Sequence, residues 1–368
     1  MNIELLTELA CSSTLTGQRC QGGLKMAAAP QARFDARDSN EFVEGLLECS
    51  QCGACYPVLC GVAVLVPDPG GYLQNQYKTI ISLAFEHNLD ISPAMRGYLH
   101  KIGAHLEAGS QKAAEDSPRA LSSYLRAHYD QSASLFESLP PDHPLAAFGT
   151  YYQINNVYSV LLSMIQPRLS TNAKILDLGC HVGRLTRDLA SQDRQVLGID
   201  ISFAAVFLAR CAIRAWPTRL TGYETTGDGL KREKRPLNLP GLDKGDAIVA
   251  SATQLPLKAA AYQAIVSANL IDILPDPIAL LHEIRFMLAE NGFLAISTPY
   301  HSGASRAALR WLGANSKMGV DQALRWRIGH HFNIIETREN IPWVLGEHAR
   351  RYQIYINDCI LAQKQQKK

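Results

Sequence analysis

A short segment near the middle of the chain constrains its fold more than any other. Residues 174–186 read Lys-Ile-Leu-Asp-Leu-Gly-Cys-His-Val-Gly-Arg-Leu-Thr, an apolar run that includes an acid, then a glycine-bearing turn, then the start of an amphipathic pattern. Glycine lets the backbone turn sharply and approach a ligand closely, as it does between strand and helix in doubly wound nucleotide-binding sheets. The segment therefore predicts an α/β fold with a ligand site at this turn.

The rest of the C-terminal region alternates in the same way. Apolar runs with the length of buried strands are separated by stretches of helical periodicity, which is typical of a parallel sheet covered by helices. We predict strands at residues 174–178, 195–199, 247–250, 264–268, 293–298, 333–338 and 352–362. One buried helix is predicted at residues 154–165, and residues 217–246 are interpreted as an insertion before the third strand.

Three further motifs follow the glycine turn in a fixed order. The second predicted strand ends in Asp200, where an acid can accept both hydroxyls of a ribose. Residues 251–256 read Ser-Ala-Thr-Gln-Leu-Pro, and residues 262–300 contain a strand, a helix and a glycine turn into the next strand. Several ordered matches are much more specific than a lone glycine motif.

Together these motifs resemble the class I S-adenosylmethionine-dependent methyltransferases. The resemblance spans residues 151–364 and implies a Rossmann-like, seven-stranded sandwich with an antiparallel last strand. The family's first motif is an acid followed by Gly-x-Gly-x-Gly, and here Gly179, His181 and Gly183 hold the glycine positions. Histidine is among the residues enriched at positive φ, so it can occupy the central position at modest cost. Ser251 stands where the family usually has Asp.

The resemblance also implies which residues hold S-adenosylmethionine. Asp177, Gly179 and Gly183 would cradle the methionyl part, Asp200 the ribose, and the start of residues 251–256 the adenine edge. The full set of cofactor residues that it implies is Asp177, Gly179, Cys180, His181, Gly183, Asp200, Ile201, Ser251, Ala252 and Asn269.

Methyl transfer from a sulfonium is an in-line displacement at an activated carbon, so alignment of donor and acceptor supplies much of the acceleration. A base assists when the acceptor atom carries a proton. Candidate bases at the carboxyl ends of predicted strands are Asp272, Tyr300 and His301, with Tyr151 from the preceding segment. Each is also interpretable as a rim or packing residue, and we interpret Trp343 as part of a solvated edge before the last strand.

Six of the nine cysteines lie in the first sixty residues, and such a cluster in a reducing compartment indicates a metal before a disulfide. Residues 47–66 resemble the C-terminal half of a zinc-ribbon-like family that includes the activator subunit of tRNA and protein methyltransferases. The resemblance implies zinc bound by four cysteines, for which the candidates are Cys11, Cys20, Cys49 and Cys52. A metal-free ribbon held by an apolar core is the alternative, and Cys55 and Cys60 are interpreted as packing residues.

Three regions are therefore expected. They are a zinc-ribbon-like β module at residues 1–68, a helical linker or lid at 69–150, and the methyltransferase domain at 151–368. Residues 67–71 are interpreted as the linker that follows the first module. Helical additions before the core commonly form the lid of small-molecule methyltransferases, so the resemblance favours a small-molecule acceptor. A net charge of +2 disfavours nucleic acid as a partner. No apolar run approaches the ~18 residues of a membrane span, and the start lacks the cationic region of a signal peptide, so we expect a cytoplasmic protein.

Other interpretations stay open. The chain could methylate protein or RNA and use its ribbon as a built-in activator or docking platform. It could also be a catalytically silent binding protein, as His181 and Ser251 would allow. A nicotinamide-binding Rossmann domain is less favoured, because Gly-x-Gly-x-x-Gly does not fit residues 179–185.

Overall fold

A computed structural model of the chain describes residues 1–15, 18–103, 118–129, 139–226, 232–301, 317–348 and 351–365. The N-terminal region is built of short strands. After a 3-10 helix at Ile3–Thr7, its strands are β1 (Thr14–Leu15), β2 (Gln18–Arg19), β3 (Leu24–Met26), β4 (Arg33–Phe34), β5 (Phe42–Cys49), β6 (Cys55–Leu59) and β7 (Val62–Ala63). Strands β3, β5, β6 and β7 form an antiparallel sheet, β4 pairs with β5, and β1 and β2 form a separate hairpin. The apolar runs at residues 45–49 and 56–66, punctuated by Gly and Pro, predict strands, and the structure has strands in both.

Five helices follow within the described residues up to 165. They are α1 (Pro69–Glu86), α2 (Pro93–Lys101), α3 (Pro118–Tyr129), α4 (Pro144–Ile154) and α5 (Val157–Ile165), after which a 3-10 turn spans Gln166–Arg168. In the sequence, Ser92-Pro93 and Ser117-Pro118 each predict a helix start, with a capping hydroxyl before a Pro at the first helical position. The first is confirmed, because the Ser92 hydroxyl accepts from Met95 N at 3.2 Å and Pro93 begins α2. The other, Ser117, lies outside the described residues. No helix in these described ranges has both the length and the apolar character needed to cross a bilayer.

Two predictions about helix boundaries are wrong. Residues 67–71 are not an exit linker, since the Asp68 carboxylate accepts from Gly71 N at 3.0 Å and caps α1, which starts at Pro69. Residues 154–165 are not one helix, because α4 ends at the exposed Ile154 and Asn156 starts α5 by accepting from Ser159 N at 3.0 Å. Asp and Asn are preferred helix N-caps. Asp68 starts a helix where the Pro and Gly residues suggested a linker, and Asn156 starts a new helix inside an apolar run.

The C-terminal region forms one large mixed sheet with helices on both sides. Its strands are β8 (Lys174–Leu178), β9 (Gln195–Asp200), β10 (Gly222–Thr226), β11 (Arg232–Pro236), β12 (Gly245–Val249), β13 (Tyr262–Ala268), β14 (Leu288–Thr298), β15 (Phe332–His348) and β16 (Arg351–Lys364). Its helices are α6 (Arg184–Ala190), α7 (Phe203–Arg214), α8 (Pro277–Met287) and α9 (Val320–Gly329). The strand order is β11-β10-β15-β16-β14-β13-β8-β9-β12.

All seven predicted strands are present, and β16 runs antiparallel to both of its neighbours as expected. The sheet is nevertheless wider than predicted, because the segment interpreted as an insertion contains the hairpin β10–β11, which extends the sheet beyond β15. Strand β15 also continues to His348, well past its predicted end at residue 338, whereas β16 matches its predicted range of 352–362 closely.

Chain order reverses on the two sides of β8. Strands β9 and β12 follow on one side and β13 and β14 on the other, so their carboxyl ends border a common crevice. Open α/β sheets bind ligands at such a switch point. The fold therefore places the predicted glycine turn, which follows β8, at the position where a ligand is expected.

The N-terminal sheet packs against the β12 edge of the large sheet. Leu65 N donates to Val249 O at 2.8 Å beside a parallel bridge between Val64 and Val249. Nearby, the fully buried Arg210 on α7 pairs with Asp246 through Nε and Oδ1 at 2.6 Å and with Glu41 at 2.7 Å. A buried charge of this kind is tolerated only with its partners, so this contact between the two regions is strongly specified.

Candidate functional site

A cavity of about 750 Å³ opens at the switch point. Most of the residues predicted to hold a ligand or to act as a base line it. They are Asp177, Gly179, Cys180, His181, Asp200, Ile201, Ser251, Ala252, Asn269, Asp272 and His301. The structure thus brings together motifs that lie more than a hundred residues apart in the chain.

The turn between β8 and α6 has left-handed backbone at all three motif positions. φ is 73° at Gly179, 46° at His181 and 84° at Gly183, so histidine does adopt the conformation that the motif demands. A Cβ added to Gly183 would lie 2.9 Å from Ala209 Cβ. Gly183 therefore lets α6 begin close to α7, and it is not among the residues that line the cavity.

Asp177 ties β8 to the helix that follows it. It is 2% exposed, and its Oδ2 accepts from Thr186 N at 3.0 Å and from Thr186 Oγ1 at 2.7 Å. Burial raises the pKa of Asp177 to about 7, although both bonds from Thr186 act in the opposite direction. Its contacts in the protein hold the shape of the turn.

Asp200 closes β9 and joins the turn to the second strand. Its Oδ2 accepts from His181 N at 3.0 Å and its Oδ1 from Ser202 N at 2.9 Å. An ionised carboxylate can accept about four hydrogen bonds, so these contacts are compatible with additional ones to ligand hydroxyls. Asp200 thus has a structural role, because it joins the second strand to the turn at the wall of the cavity.

Residues 251–256 form the next part of the wall. Ser251 and Thr253 share a hydrogen bond between their hydroxyls at 3.0 Å, and Ser251 pairs with Gln254 in an isolated bridge. The N-terminal region holds this loop from outside, because Gln254 Nε2 donates to Ser12 O and Ala10 N donates to Pro256 O, each at 2.8 Å.

A second set of hydrogen bonds holds this loop through Glu283 of α8. Arg19 donates to Glu283 Oε2 at 2.8 Å, and the same oxygen accepts from Leu255 N at 3.0 Å. The loop is therefore fixed by residues that belong to both regions of the molecule.

Aromatic side chains also line the cavity, and sequence reasoning missed most of them. Tyr124, His128, Tyr158, Trp343 and Tyr355 all line the cavity. Trp343 is 6% exposed, so its interpretation as part of a solvated edge is wrong. A usable signal was present, since Ile341, Trp343 and Leu345 alternate with a period of two on β15 and all three are buried. The tyrosines and His128 carry no comparable local pattern.

The candidate bases separate into two groups. Asp272 and His301 line the cavity and contact each other, because Asp272 Oδ2 accepts from His301 N at 2.7 Å. Burial raises the pKa of Asp272. Tyr300 instead donates to Asp358 at 3.0 Å, and neither it nor the half-exposed Tyr151 is among the lining residues.

Four cysteines come together in the N-terminal region. The thiols of Cys11, Cys20, Cys49 and Cys52 lie within 4.8 Å of one another. Zn–S bonds of about 2.3 Å in a tetrahedron place sulfurs roughly 3.8 Å apart, so this set fits one zinc ion. Cys60 is buried apart from the cluster, in keeping with a packing role.

A protein-family model described as a methyltransferase domain matches residues 151–339. The chain belongs to this methyltransferase domain family. The predicted class is thereby confirmed, and the nicotinamide-binding alternative is wrong. The match begins in α4 and ends in β15, so it includes the strand ends that border the cavity.

Individual relatives are more distant. The ubiquinone biosynthesis O-methyltransferase of Histophilus somni (strain 2336) is 24% identical over 152 residues, which are 41% of this chain. The chain spans 56% of the length of that curated relative.

Solved structures with similarity include a methyltransferase from Methanosarcina mazei described as SAM-dependent, with 19% identity, a TM-score of 0.39 and coverage of 55% of this chain and 98% of that one. Another is phosphoethanolamine N-methyltransferase 2 of Haemonchus contortus in complex with S-adenosyl-L-methionine, with 12% identity, a TM-score of 0.41 and coverage of 69% and 58%.

Proposed function

We propose that this protein is an S-adenosylmethionine-dependent methyltransferase that acts on a small-molecule acceptor. The observation that carries the proposal is the wall formed by the β8–α6 turn and Asp200, which are joined by the bond from His181 N and border the cavity. Membership of the methyltransferase domain family supports the same activity.

S-adenosylmethionine, when bound, supplies a methyl carbon activated by its sulfonium. In this proposal the backbone of residues 179–181 holds the methionyl end, Asp200 accepts from the ribose, and Ser251 with Ala252 borders the adenine. Cys180, Ile201 and Asn269 complete the contacts, while Gly183 acts by packing and Asp177 by fixing the turn. The charged side chains that line the described cavity are Asp177, Asp200 and Asp272, which favours a cationic ligand.

Asp272 and His301 are the proposed groups for taking a proton from the acceptor. Both line the cavity on the side of β13 and β14, away from the predicted adenine contacts. The cavity's enclosed aromatic wall and the name of the ubiquinone biosynthesis relative both support a small acceptor.

Titration calorimetry with S-adenosylmethionine tests the proposal. Wild-type protein is expected to release heat on binding, and Asp200→Asn to weaken binding by about tenfold or more, because hydrogen bonds to a charged group are lost. Asp193→Asn is the matched control, since Asp193 pairs with Lys244 at the surface. Folded wild-type protein that takes up no cofactor would instead support the silent scaffold.

We further propose that residues 1–68 act as a built-in activator, that 69–150 cover the cavity and that 151–368 carry the chemistry. The observation that favours an activator role is the set of bonds by which the N-terminal region holds residues 251–256. A zinc ion on the four cysteines would keep Cys11 in place next to Ser12, which accepts from Gln254. Elemental analysis of the purified protein tests for zinc. Methylation of protein or RNA remains the alternative for an activated enzyme, and crosslinking to RNA would distinguish it.

A further inference from the structure

The C-terminal end of helix α3 is bonded to the segment that joins β8 to α6. Tyr129 Oη donates to Val182 O at 2.6 Å, and the Arg184 guanidinium donates to His128 O. Carbonyl groups in the last turn of a helix have no partner within the helix, so a cationic side chain is well suited to bond to one of them. Val182 and Arg184 thus fix the end of α3 beside the glycine turn.

The ring of His181 makes a third contact with α3. Its centroid lies 4.0 Å from that of Tyr124, with an angle of 39° between the two planes. Aromatic rings attract one another in offset and tilted arrangements, and this separation is at the short end of the usual range. Because Tyr124 and His181 both line the cavity, this contact forms part of the cavity wall.

The family pattern has glycine where this ring stands. His181 adopts a φ of 46°, which a glycine would adopt without cost and a histidine adopts at modest cost. A glycine has no side chain, so it would offer Tyr124 no ring to stack on. The departure from the family pattern therefore adds backbone strain and provides a contact between the glycine turn and α3.

His181 also links this contact to the second strand. Its backbone N donates to Asp200 Oδ2 at 3.0 Å, while its ring contacts Tyr124. One residue thus holds the acid at the end of β9 with its main chain and α3 with its side chain. A displacement of α3 would move the ring of His181, and with it the backbone on which the bond to Asp200 depends.

Helix α3 contacts the aromatic side chains of the cavity as well. The ring centroids of Tyr124 and Trp343 are 6.0 Å apart, and Tyr158 Oη and His128 Nε2 share a hydrogen bond at 2.9 Å. Tyr124 therefore has the ring of His181 and the ring of Trp343 as neighbours. Helix α3 is part of the cavity wall, and not only a connection between the N-terminal sheet and the large one.

We infer that α3 belongs to the S-adenosylmethionine site, and that His181 is the positioning residue that joins it to the glycine turn through Tyr124. The inference rests on the proposed function. The stacked pair keeps the turn in the conformation that holds the cofactor. Cofactor binding and the docking of α3 therefore stabilise each other, since such a coupling acts equally in both directions.

A double-mutant cycle in the affinity for S-adenosylhomocysteine tests the inference. His181→Asn keeps a residue type that tolerates the left-handed backbone and removes the imidazole, and Tyr124→Leu removes the other ring. Each is expected to weaken binding about threefold to tenfold, and the double variant to bind no more weakly than the weaker single one. Tyr124→Phe keeps the ring and should retain more affinity than Tyr124→Leu. Tyr98→Leu is the matched control, because Tyr98 is half-buried against the same core as Tyr124 and does not line the described cavity.

Hydrogen exchange gives a second measurement, which a role of His181 confined to the turn would not change. Bound S-adenosylhomocysteine is expected to slow amide exchange in residues 118–129 of wild-type protein about tenfold, and His181→Asn at saturating ligand to lose most of this protection. Unchanged affinity in His181→Asn, losses that multiply in the double variant, or equal protection of α3 in both proteins would overturn the inference. Wild-type protein that binds no S-adenosylhomocysteine would instead refute the proposed function.

Discussion

The two halves of the cavity are built in different ways. The half assigned to the cofactor consists of strand ends and turns whose polar groups already bond to one another, as Asp177 does with Thr186 and Asp200 with His181. The half assigned to the acceptor consists of side chains from remote segments, such as Tyr158 and Trp343, which meet through one hydrogen bond. The first half is assembled from elements that are close in the chain, whereas the second depends on the packing of distant elements.

The largest expected effect concerns the buried ion pairs of Arg210 between the two regions of the molecule. Arg210→Met removes the charge between Glu41 and Asp246 and leaves both acids buried, which we expect to cost about 3–5 kcal/mol of unfolding free energy. Urea denaturation measures it. The exposed Arg37→Met is the control and should cost less than about 1 kcal/mol, because surface pairs contribute little. A loss of unfolding free energy below about 1 kcal/mol in Arg210→Met would show that the buried ion pairs are not needed for stability.

The next largest effect concerns the glycine turn itself. Gly183→Val places a branched side chain at positive φ and within 3 Å of Ala209, so we expect a loss of about 2–4 kcal/mol and much weaker cofactor binding. The helical Gly97 has open space around it, and Gly97→Ala should stabilise the protein by about 0.5–1 kcal/mol. Denaturation and calorimetry on both variants test this, and an unaffected Gly183→Val would show that α6 does not need its close approach to α7.

A smaller effect is expected from the cysteine cluster. Cys52→Ser should abolish the proposed zinc binding and weaken S-adenosylmethionine binding by about tenfold, because residues 251–256 lose part of their support. Cys55→Ser is the control, since Cys55 lies outside the cluster. Metal analysis and calorimetry are read together. If the variant loses zinc and keeps its affinity for the cofactor, the cysteine cluster does not support residues 251–256.

The smallest effect sharpens the contrast between the halves. Ser251→Asp introduces the acid that the family usually has there, and a carboxylate accepts a stronger hydrogen bond than a hydroxyl. We expect cofactor affinity to rise about threefold. Ser251→Asn is the neutral control of similar shape. An equal gain in Ser251→Asn, or no gain in Ser251→Asp, would show that a charge at this position does not act on the cofactor.

The sequence predicted well the strands and turns of the half assigned to the cofactor, because these elements are local. The strand, the turn and the helix of residues 174–186 are contiguous, and the apolar runs of the other strands are strong enough to mark their cores. Local patterns failed where polar residues form strands, as in the Arg232–Pro236 strand, and where Asn156 caps a helix inside an apolar run.

The acceptor half could not be predicted because it is assembled only by folding. Tyr158 and Trp343 are 185 residues apart in the chain and meet through one hydrogen bond. No periodicity links them, and each in isolation is an ordinary buried aromatic residue. The sequence also did not reveal that the Asp177 carboxylate bonds to Thr186. An acid at the end of a strand can point to a ligand or to the next helix, and the local sequence is the same in both cases.

The loop of residues 251–256 is held by bonds from Ala10, Ser12 and Arg19 as well as by its own strand. A fragment that started at residue 151 would keep every motif by which the family is recognised and would lack these three attachments. The contacts that fix this wall of the cavity therefore extend beyond the region that the motifs delimit.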